Sequence, residues 1–435
     1  MRVLWICNIM LPVIAKQLGL PGSNREGWLT GIFEQLTAEN VMEKEKKQIT
    51  LGICFPVEEQ QEQTELSVKG VDCFGFRENL KKPEYYDAAM ESRFREIYEK
   101  FRPDIIHIFG TEFPHALAAA KTFKRPERTL IGIQGLCYEI ARVYMARLPE
   151  KVWNQVTLRD FLKRDSLKQQ REKFVLRGEN EKEAIRLAGH ITGRTRFDRE
   201  GTAQINPGAL YHSMNETMRS SFYTGEWDKS RCERYRIFLG QGDYPLKGFH
   251  FLLEAMPEIL KHYPQTMLYV AGNSVINHRT LKEKLKLPAY GKYLLSLIRK
   301  NHLEDKVVIL GRLTEEEMKE QFLKSGVFVC PSILENSPNT MAEAMLLGVP
   351  VAAARTGGIP DMLLDGREGI LFAPGNPAEL AKAVEAVFDD TVDEQGLTMA
   401  EHISVAGRRR AQMAHDGATN FCRLLEIYED IGAKT

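Results

Sequence analysis

Short apolar runs with little polar interruption alternate with stretches of helical spacing over most of the chain. In the first half the runs 3–6, 49–53 and 105–109 read as strands, with helices predicted near 29–38 and 86–101. The series resumes at 235–239 and continues through 267–270, 307–310, 327–330 and 351–353, with a helix predicted over 249–262. A strand that is apolar at successive positions is buried on both faces, and the helices between strands supply the cover. This is the pattern of parallel sheets. Two such series predict an α/β chain of two doubly wound, Rossmann-like domains, residues 1–228 and 229–410, with a hinge in the polar stretch 224–230. A last helix over 411–431 has no strand after it and is expected to pack back on the first domain. Ligands of such sheets bind beyond the carboxyl ends of the strands, here in a cleft that the two domains would share.

Composition narrows the classes of ligand. The 435 residues carry 59 Lys and Arg against 59 Asp and Glu. Without net charge there is no long-range field to gather nucleic acid, so no nucleic-acid partner is expected, and an anionic membrane would have to be met by a local patch. The seven cysteines (Cys7, Cys54, Cys73, Cys137, Cys232, Cys330 and Cys422) are scattered, with no C-x-x-C. That predicts reduced, mostly buried thiols, and neither a disulfide scaffold nor a zinc site. No apolar run approaches the roughly 20 residues that span a bilayer, and the first is too short for a secretory leader. A cytoplasmic chain, at most peripheral on the inner membrane face, is expected.

The densest chemistry is Pro331-Ser332-Ile333-Leu334-Glu335-Asn336-Ser337-Pro338-Asn339-Thr340-Met341-Ala342-Glu343. It follows the predicted strand ending at Cys330 and opens a helix at Asn339. The free backbone N–H groups of Asn339 and Thr340 suit an anionic phosphate. Carboxylates at Glu335, before the helix, and at Glu343, within it, can accept hydrogen bonds from sugar hydroxyls. By themselves they read equally as acids placed favourably at the positive end of a helix dipole.

With its neighbours, this segment resembles the retaining glycosyltransferases of family 4, which have the GT-B fold. The resemblance runs through Gly348-Val349-Pro350, Thr356-Gly357-Gly358 and Asp365-Gly366, and upstream through Lys247-Gly248, Gly272 and Gly311-Arg312-Leu313. It covers essentially the whole second half and, more loosely, the first. It implies that Glu335 contacts the donor sugar, that Glu343 holds the ribose hydroxyls and that Lys247 neutralises the diphosphate. Backbone around Gly311, Arg312 and Leu313 would line the base. In the first half, Gly27 would belong to a glycine loop near the phosphate, spanning 22–27. His115, after the strand 105–109, would stand near the reacting centre, and Gln134 would face the acceptor. His107, inside that strand, reads as a packed histidine.

Two positions depart from the pattern. Gly242 stands where such enzymes carry an arginine, and Arg194 or Arg196 is the candidate for the missing second phosphate cation. Residues 336–338 replace a glycine-rich step, and Pro338 offers no N–H.

No D-x-D, G-x-x-x-x-G-K-[ST] or intact G-x-G-x-x-G after a strand is present, so hydrolase and dehydrogenase readings lose their main support. The resemblance implies transfer of a sugar from a nucleotide diphosphate sugar, UDP favoured, with retained configuration and without a metal or other cofactor. The chain is similar in particular to bacterial polysaccharide-assembly members of that family, which implies as acceptor a glycan or lipid-linked glycan of a bacterial capsule or exopolysaccharide. A basic and apolar stretch, 159–177, reads either as an ordinary solvated helix or as a helix resting on an anionic membrane. A second such stretch, 293–300, is expected to pack on the second domain. The rival readings are an epimerase or phosphorylase on the same fold, a nucleotide-sugar-binding module without catalysis, and an α/β protein with an unused cleft.

Overall fold

The structure is a computed structural model that describes residues 1–20, 27–37, 49–58, 64–145, 147–277 and 280–433. It divides into two compact units. One comprises Met1–Ala141, Lys173–Arg219 and His415–Thr435, the other Arg142–Glu172 and Ser220–Ala414.

The first unit is built on eight strands: β1 (Arg2–Cys7), β2 (Thr50–Val57), β3 (Glu65–Val68), β4 (Val71–Arg77), β5 (Ile105–Phe109), β6 (Thr129–Gly132), β7 (His190–Gly193) and β8 (Leu210–Ser213). Their order is β3-β4-β2-β1-β5-β6-β7-β8, parallel except for β3, which runs antiparallel to β4. All of β5 is buried, His107 included. That histidine is neutral and satisfied on one side: its Nδ1 lies 2.8 Å from the Tyr428 hydroxyl, and burial drives its pKa down to about 3. Trp5 Nε1 donates to the same hydroxyl at 2.8 Å. Leu424, Ile427, Tyr428 and Ile431 form one stripe of the helix Gly417–Ala433 and join Val3, Trp5 and Ile105 in the core. The last helix thus covers one face of this sheet.

The second unit holds β9 (Glu233–Leu239), β10 (Met267–Ala271), β11 (Val307–Gly311), β12 (Ser325–Cys330), β13 (Val351–Ala354) and β14 (Ile370–Phe372), all parallel in the order β11-β10-β9-β12-β13-β14. Chain order reverses between β9 and β12. A doubly wound sheet opens a crevice at such a reversal, because the loops leaving the two strands turn to opposite sides. The stretch 293–300 falls in the helix Ala289–Lys300, whose Leu294, Leu295, Leu297 and Ile298 are buried.

The structure differs from the sequence reading at three places. Residues 142–172 group with the second unit. The polar stretch 224–230 is anchored within that unit, since Trp227 is buried and donates from Nε1 to Ser325 O and from its backbone to Leu347 O, both at 2.8 Å. The long C-terminal helix is two, Met399–Ala414 and Gly417–Ala433. Asp416 ends the run by accepting from Thr419 N at 2.8 Å, a cap for the second helix. Among the described residues no helix is long and apolar enough to cross a membrane.

Candidate functional site

The loops leaving β9 and β12 are forced together by two backbone contacts. Gly248 has a φ of +71° and lies so close to Pro331 that a Cβ there would sit 2.0 Å from its carbonyl oxygen. Only glycine meets both conditions. Alongside, Ile333 N donates to Leu246 O at 2.8 Å. The consequence is that Lys247 Nζ reaches Glu335 Oε1 at 2.6 Å, and Ser332 Oγ donates to the same oxygen at 2.7 Å. Burial opposes the Lys247 ammonium, but the Glu335 carboxylate and the Tyr244 phenol beside it outweigh that and raise its pKa. The lysine is a fixed positive charge.

Glu335 is held from behind by the loop after β13. Gly358 N donates to Glu335 O at 3.0 Å, and Thr356 Oγ1 donates to Ile333 O at 2.7 Å. Gly357, at φ +52°, would place a Cβ 1.8 Å from Glu335 O. The Thr-Gly-Gly segment is therefore a backstop for the carboxylate's own backbone.

Asn339 and Thr340 are the first two residues of the helix Asn339–Leu346, with Pro338 as its N-cap. Glu343 is buried one turn further on, on the face that Asn339 shares at i, i+4. Gly311, at φ +80°, ends β11, and its carbonyl accepts from Gly272 N at 2.9 Å. Arg312 follows, donating from Nε to Asn273 Oδ1 at 2.7 Å, and Leu313 is half-buried beside it. Asn273 donates in turn to Asp243 Oδ2 at 2.9 Å, and Gln241 to Asp243 Oδ1 at 2.8 Å. This chain of side chains spans the carboxyl ends of β11, β10 and β9. Sequence reading missed Asp243 and Asn273; the polar residues following β9 and β10 were the available signal. At Gly242 a Cβ would lie 2.5 Å from Val270 Cγ1 and 3.1 Å from the Phe249 ring, so a side chain where the resembling enzymes carry arginine would have to displace Val270.

In the first unit Gly27 opens the helix Gly27–Thr37, while 22–26 lie outside the described residues. His115 begins the helix His115–Phe123 and is fully buried, with Nδ1 2.8 Å from Glu78 Oε2 and its backbone N–H donating to Glu78 Oε1 at 3.1 Å. Gln134, on the loop after β6, donates to Glu216 Oε1 at 2.8 Å. Arg194 is ion-paired with the same Glu216, both side chains nearly closed to solvent, and also donates to Ile133 O at 3.3 Å. Its guanidinium is therefore engaged within its own unit. Arg196 is exposed, at the start of the helix Arg196–Ile205.

Two acids at this end of the first sheet escaped the sequence reading. Glu181 is fully buried and accepts from Thr111 Oγ1, Cys137 N and Tyr138 N at 2.8, 2.9 and 3.1 Å; burial nevertheless pushes its carboxyl up to about 8. Glu112, on the loop after β5, has its carboxyl raised by burial, and its Oε2 is closed to solvent and unpaired among the described residues. Among the described residues no group of three His, Cys, Asp or Glu side chains is placed to hold a metal ion.

Residues 233–390 match the family model described as Glycosyl transferases group 1. An uncharacterized glycosyltransferase of Methanocaldococcus jannaschii is 29% identical over 158 residues, 36% of each chain. The chain spans well under two thirds of the curated relatives it first matches. Over their whole lengths, sucrose-phosphate synthase of Thermosynechococcus elongatus superposes with a TM-score of 0.68 at 14% identity, covering 100% of both chains. Anabaena HepE in complex with UDP-glucose superposes at 0.63 and 16%, covering 99% of this chain and 100% of that one. The fold is the GT-B fold.

Proposed function

With the GT-B fold and a glycosyl transferases group 1 domain at residues 233–390, we propose that the chain takes a sugar from a nucleotide diphosphate sugar held at the reversal point of the second sheet. The sugar passes with retained configuration, and without a metal, to a glycan or lipid-linked glycan of a bacterial capsule or exopolysaccharide. UDP is the preferred base carrier, a choice supported by the Anabaena neighbour's complex with UDP-glucose. The observation that carries the reading is the 2.6 Å contact of Lys247 with Glu335 between β9 and β12.

A diphosphate entering there competes with Glu335 for the ammonium. Lys247 and the amides of Asn339 and Thr340 then face the charge that grows on the leaving group. Glu335, released, accepts hydrogen bonds from the sugar hydroxyls, Glu343 from the ribose, and backbone at 311–313 borders the base. The bond from the anomeric carbon to the phosphate oxygen breaks, the acceptor oxygen bonds to that carbon on the same face, and its proton passes to the departing phosphate. His115 stands near the reacting centre and Gln134 toward the acceptor. The Glu335 and Glu343 carboxylates are binding groups and not the flanking pair of a retaining hydrolase.

Gly242, tightly packed against Val270 and Phe249, gives the reading of a binding module without catalysis its one specific support, since this position supplies no second cation. Calorimetric titration with UDP, GDP and ADP, followed by product analysis with the matching sugar nucleotides, separates the two. Saturable binding to UDP, weakened in Lys247→Ala and Glu343→Ala, together with sugar release, is the expected result. Binding without turnover selects the module. Absence of binding by a folded chain overturns the donor site.

A further inference from the structure

The helix Leu158–Lys163, in the second unit, is inside out. Its buried residue is an acid: Asp160 is 1% exposed. The Asp160 carboxylate accepts from Thr157 N at 3.3 Å and from Ala289 N at 2.9 Å, and pairs with Arg159 at 3.0 Å. Thr157 Oγ1 returns the contact by accepting from Asp160 N at 3.2 Å, so the helix start is a closed capping box. Ala289 opens the helix Ala289–Lys300, so one carboxylate caps two helices and pins the shorter to the unit.

The opposite face is apolar and open. Leu158, Phe161 and Leu162, at i, i+3 and i+4, are 53%, 71% and 71% exposed, and Val156 just before them is 56% exposed. Ordinary folding puts such a stripe inward and the acid outward. Here the Asp160 anchor prevents the helix from rolling over, because turning the stripe inward would strip a buried carboxylate of its partners. Lys163 and Arg164 follow directly, both exposed and neither ion-paired among the described residues. Arg164, at φ +49°, ends the helix, so the stretch 159–177 is not one continuous amphipathic helix.

We propose that this helix is a membrane foot: Val156, Leu158, Phe161 and Leu162 enter the boundary between headgroups and acyl chains of an anionic bilayer, and Lys163 and Arg164 meet lipid phosphates. A stable protein interface buries about 1,200–2,000 Å², far more than one six-residue helix offers. Shallow insertion needs only a few apolar side chains with cations at their margin. The chain carries no net charge, so the attraction is local to this patch. The proposal does not depend on the donor reading.

The test is co-sedimentation of the full chain with vesicles of equal parts phosphatidylglycerol and phosphatidylcholine, and with phosphatidylcholine alone. Wild type is expected to bind the anionic vesicles, and less so as salt rises. Phe161→Glu with Leu162→Glu should lower the bound fraction by about tenfold. Lys163→Glu with Arg164→Glu should remove the preference for anionic lipid. Circular-dichroism melting confirms that each variant folds. Three outcomes overturn the proposal: no binding by wild type, equal binding by wild type and the apolar variant, or a wild-type dimer in sedimentation velocity that the apolar variant dissolves while vesicles stay unbound. The last assigns the stripe to a second copy of the chain.

Discussion

Lys247 and Glu335 are placed by glycines more than by each other. The 2.6 Å contact exists because Gly248 lets the lysine's loop lie against Pro331, and Gly357 lets another loop lie against Glu335. Glu335→Gln keeps the shape and removes the charge. Transfer should fall by about 10²–10³ at saturating donor, while the stability cost stays near 1–3 kcal/mol for the lost partner of a half-buried lysine. Initial rates set beside urea melts check both, and near-wild-type turnover would remove the role proposed for this carboxylate. Gly248→Ala tests the placement itself. An added methyl must move Pro331 or unwind a backbone at φ +71°, so a loss of about 2–4 kcal/mol is expected, with UDP affinity falling alongside. Unchanged affinity in a folded variant would show that the approach of the two loops is not what positions the lysine.

At the scale of elements, the last helix is locked to the first sheet through one hydroxyl. Tyr428→Phe leaves Trp5 Nε1–H without its acceptor and His107 Nδ1 without its partner, all fully buried. A loss of about 1–3 kcal/mol is expected by urea melting, and a neutral result would mean that the hydroxyl adds nothing beyond packing. The same network gives a pH dependence. His107 has a folded pKa of about 3 against an ordinary value of 6.5, so below 6.5 the unfolded chain takes up a proton that the native chain refuses. Its contribution is complete above 6.5 and declines as pH falls toward 3, with a slope of up to about 1.4 kcal/mol per pH unit. Between pH 6.5 and 5, His107→Phe should flatten the fall in urea stability relative to wild type; parallel curves would show that this histidine is protonated in the folded state. These details are only partly legible in the sequence. The strand around His107 and the helix Phe249–His262 announce themselves by apolar runs and spacing. The short strands β3, β7 and β8 do not, being four residues each, with half of β3 and half of β8 exposed. The break before Gly417 escapes a reading by pattern because Asp416 and Gly417 sit inside a run that is otherwise a good helix pattern, and one cap decides it.

For the whole molecule, the legible and illegible parts of the site divide by how far apart the residues lie along the chain. Glu335, Asn339, Thr340 and Glu343 occupy one short segment, so the amino-acid order alone places them on a common strand-loop-helix passage. Lys247 lies 88 residues from Glu335, and only strand order, with β9 beside β12, brings them together. The Gln241-Asp243-Asn273-Arg312 chain joins residues after three different strands, so polar residues after β9 and β10 are visible in the sequence but their pairing is not. This clustering carries a prediction about where a ligand acts. Lys247, Glu343 and 311–313 all belong to the second unit, so UDP should slow amide exchange most at 243–248, 311–313 and 333–343. The central strands β1 and β5 of the first unit should exchange unchanged, because their protection comes from a core that the nucleotide does not complete. Hydrogen-exchange mass spectrometry with and without saturating UDP gives the map. Protection strongest in the first unit would move the nucleotide away from Lys247, whereas protection at 333–343 that disappears in Lys247→Ala would tie the helix N-terminus and the lysine to the same phosphate.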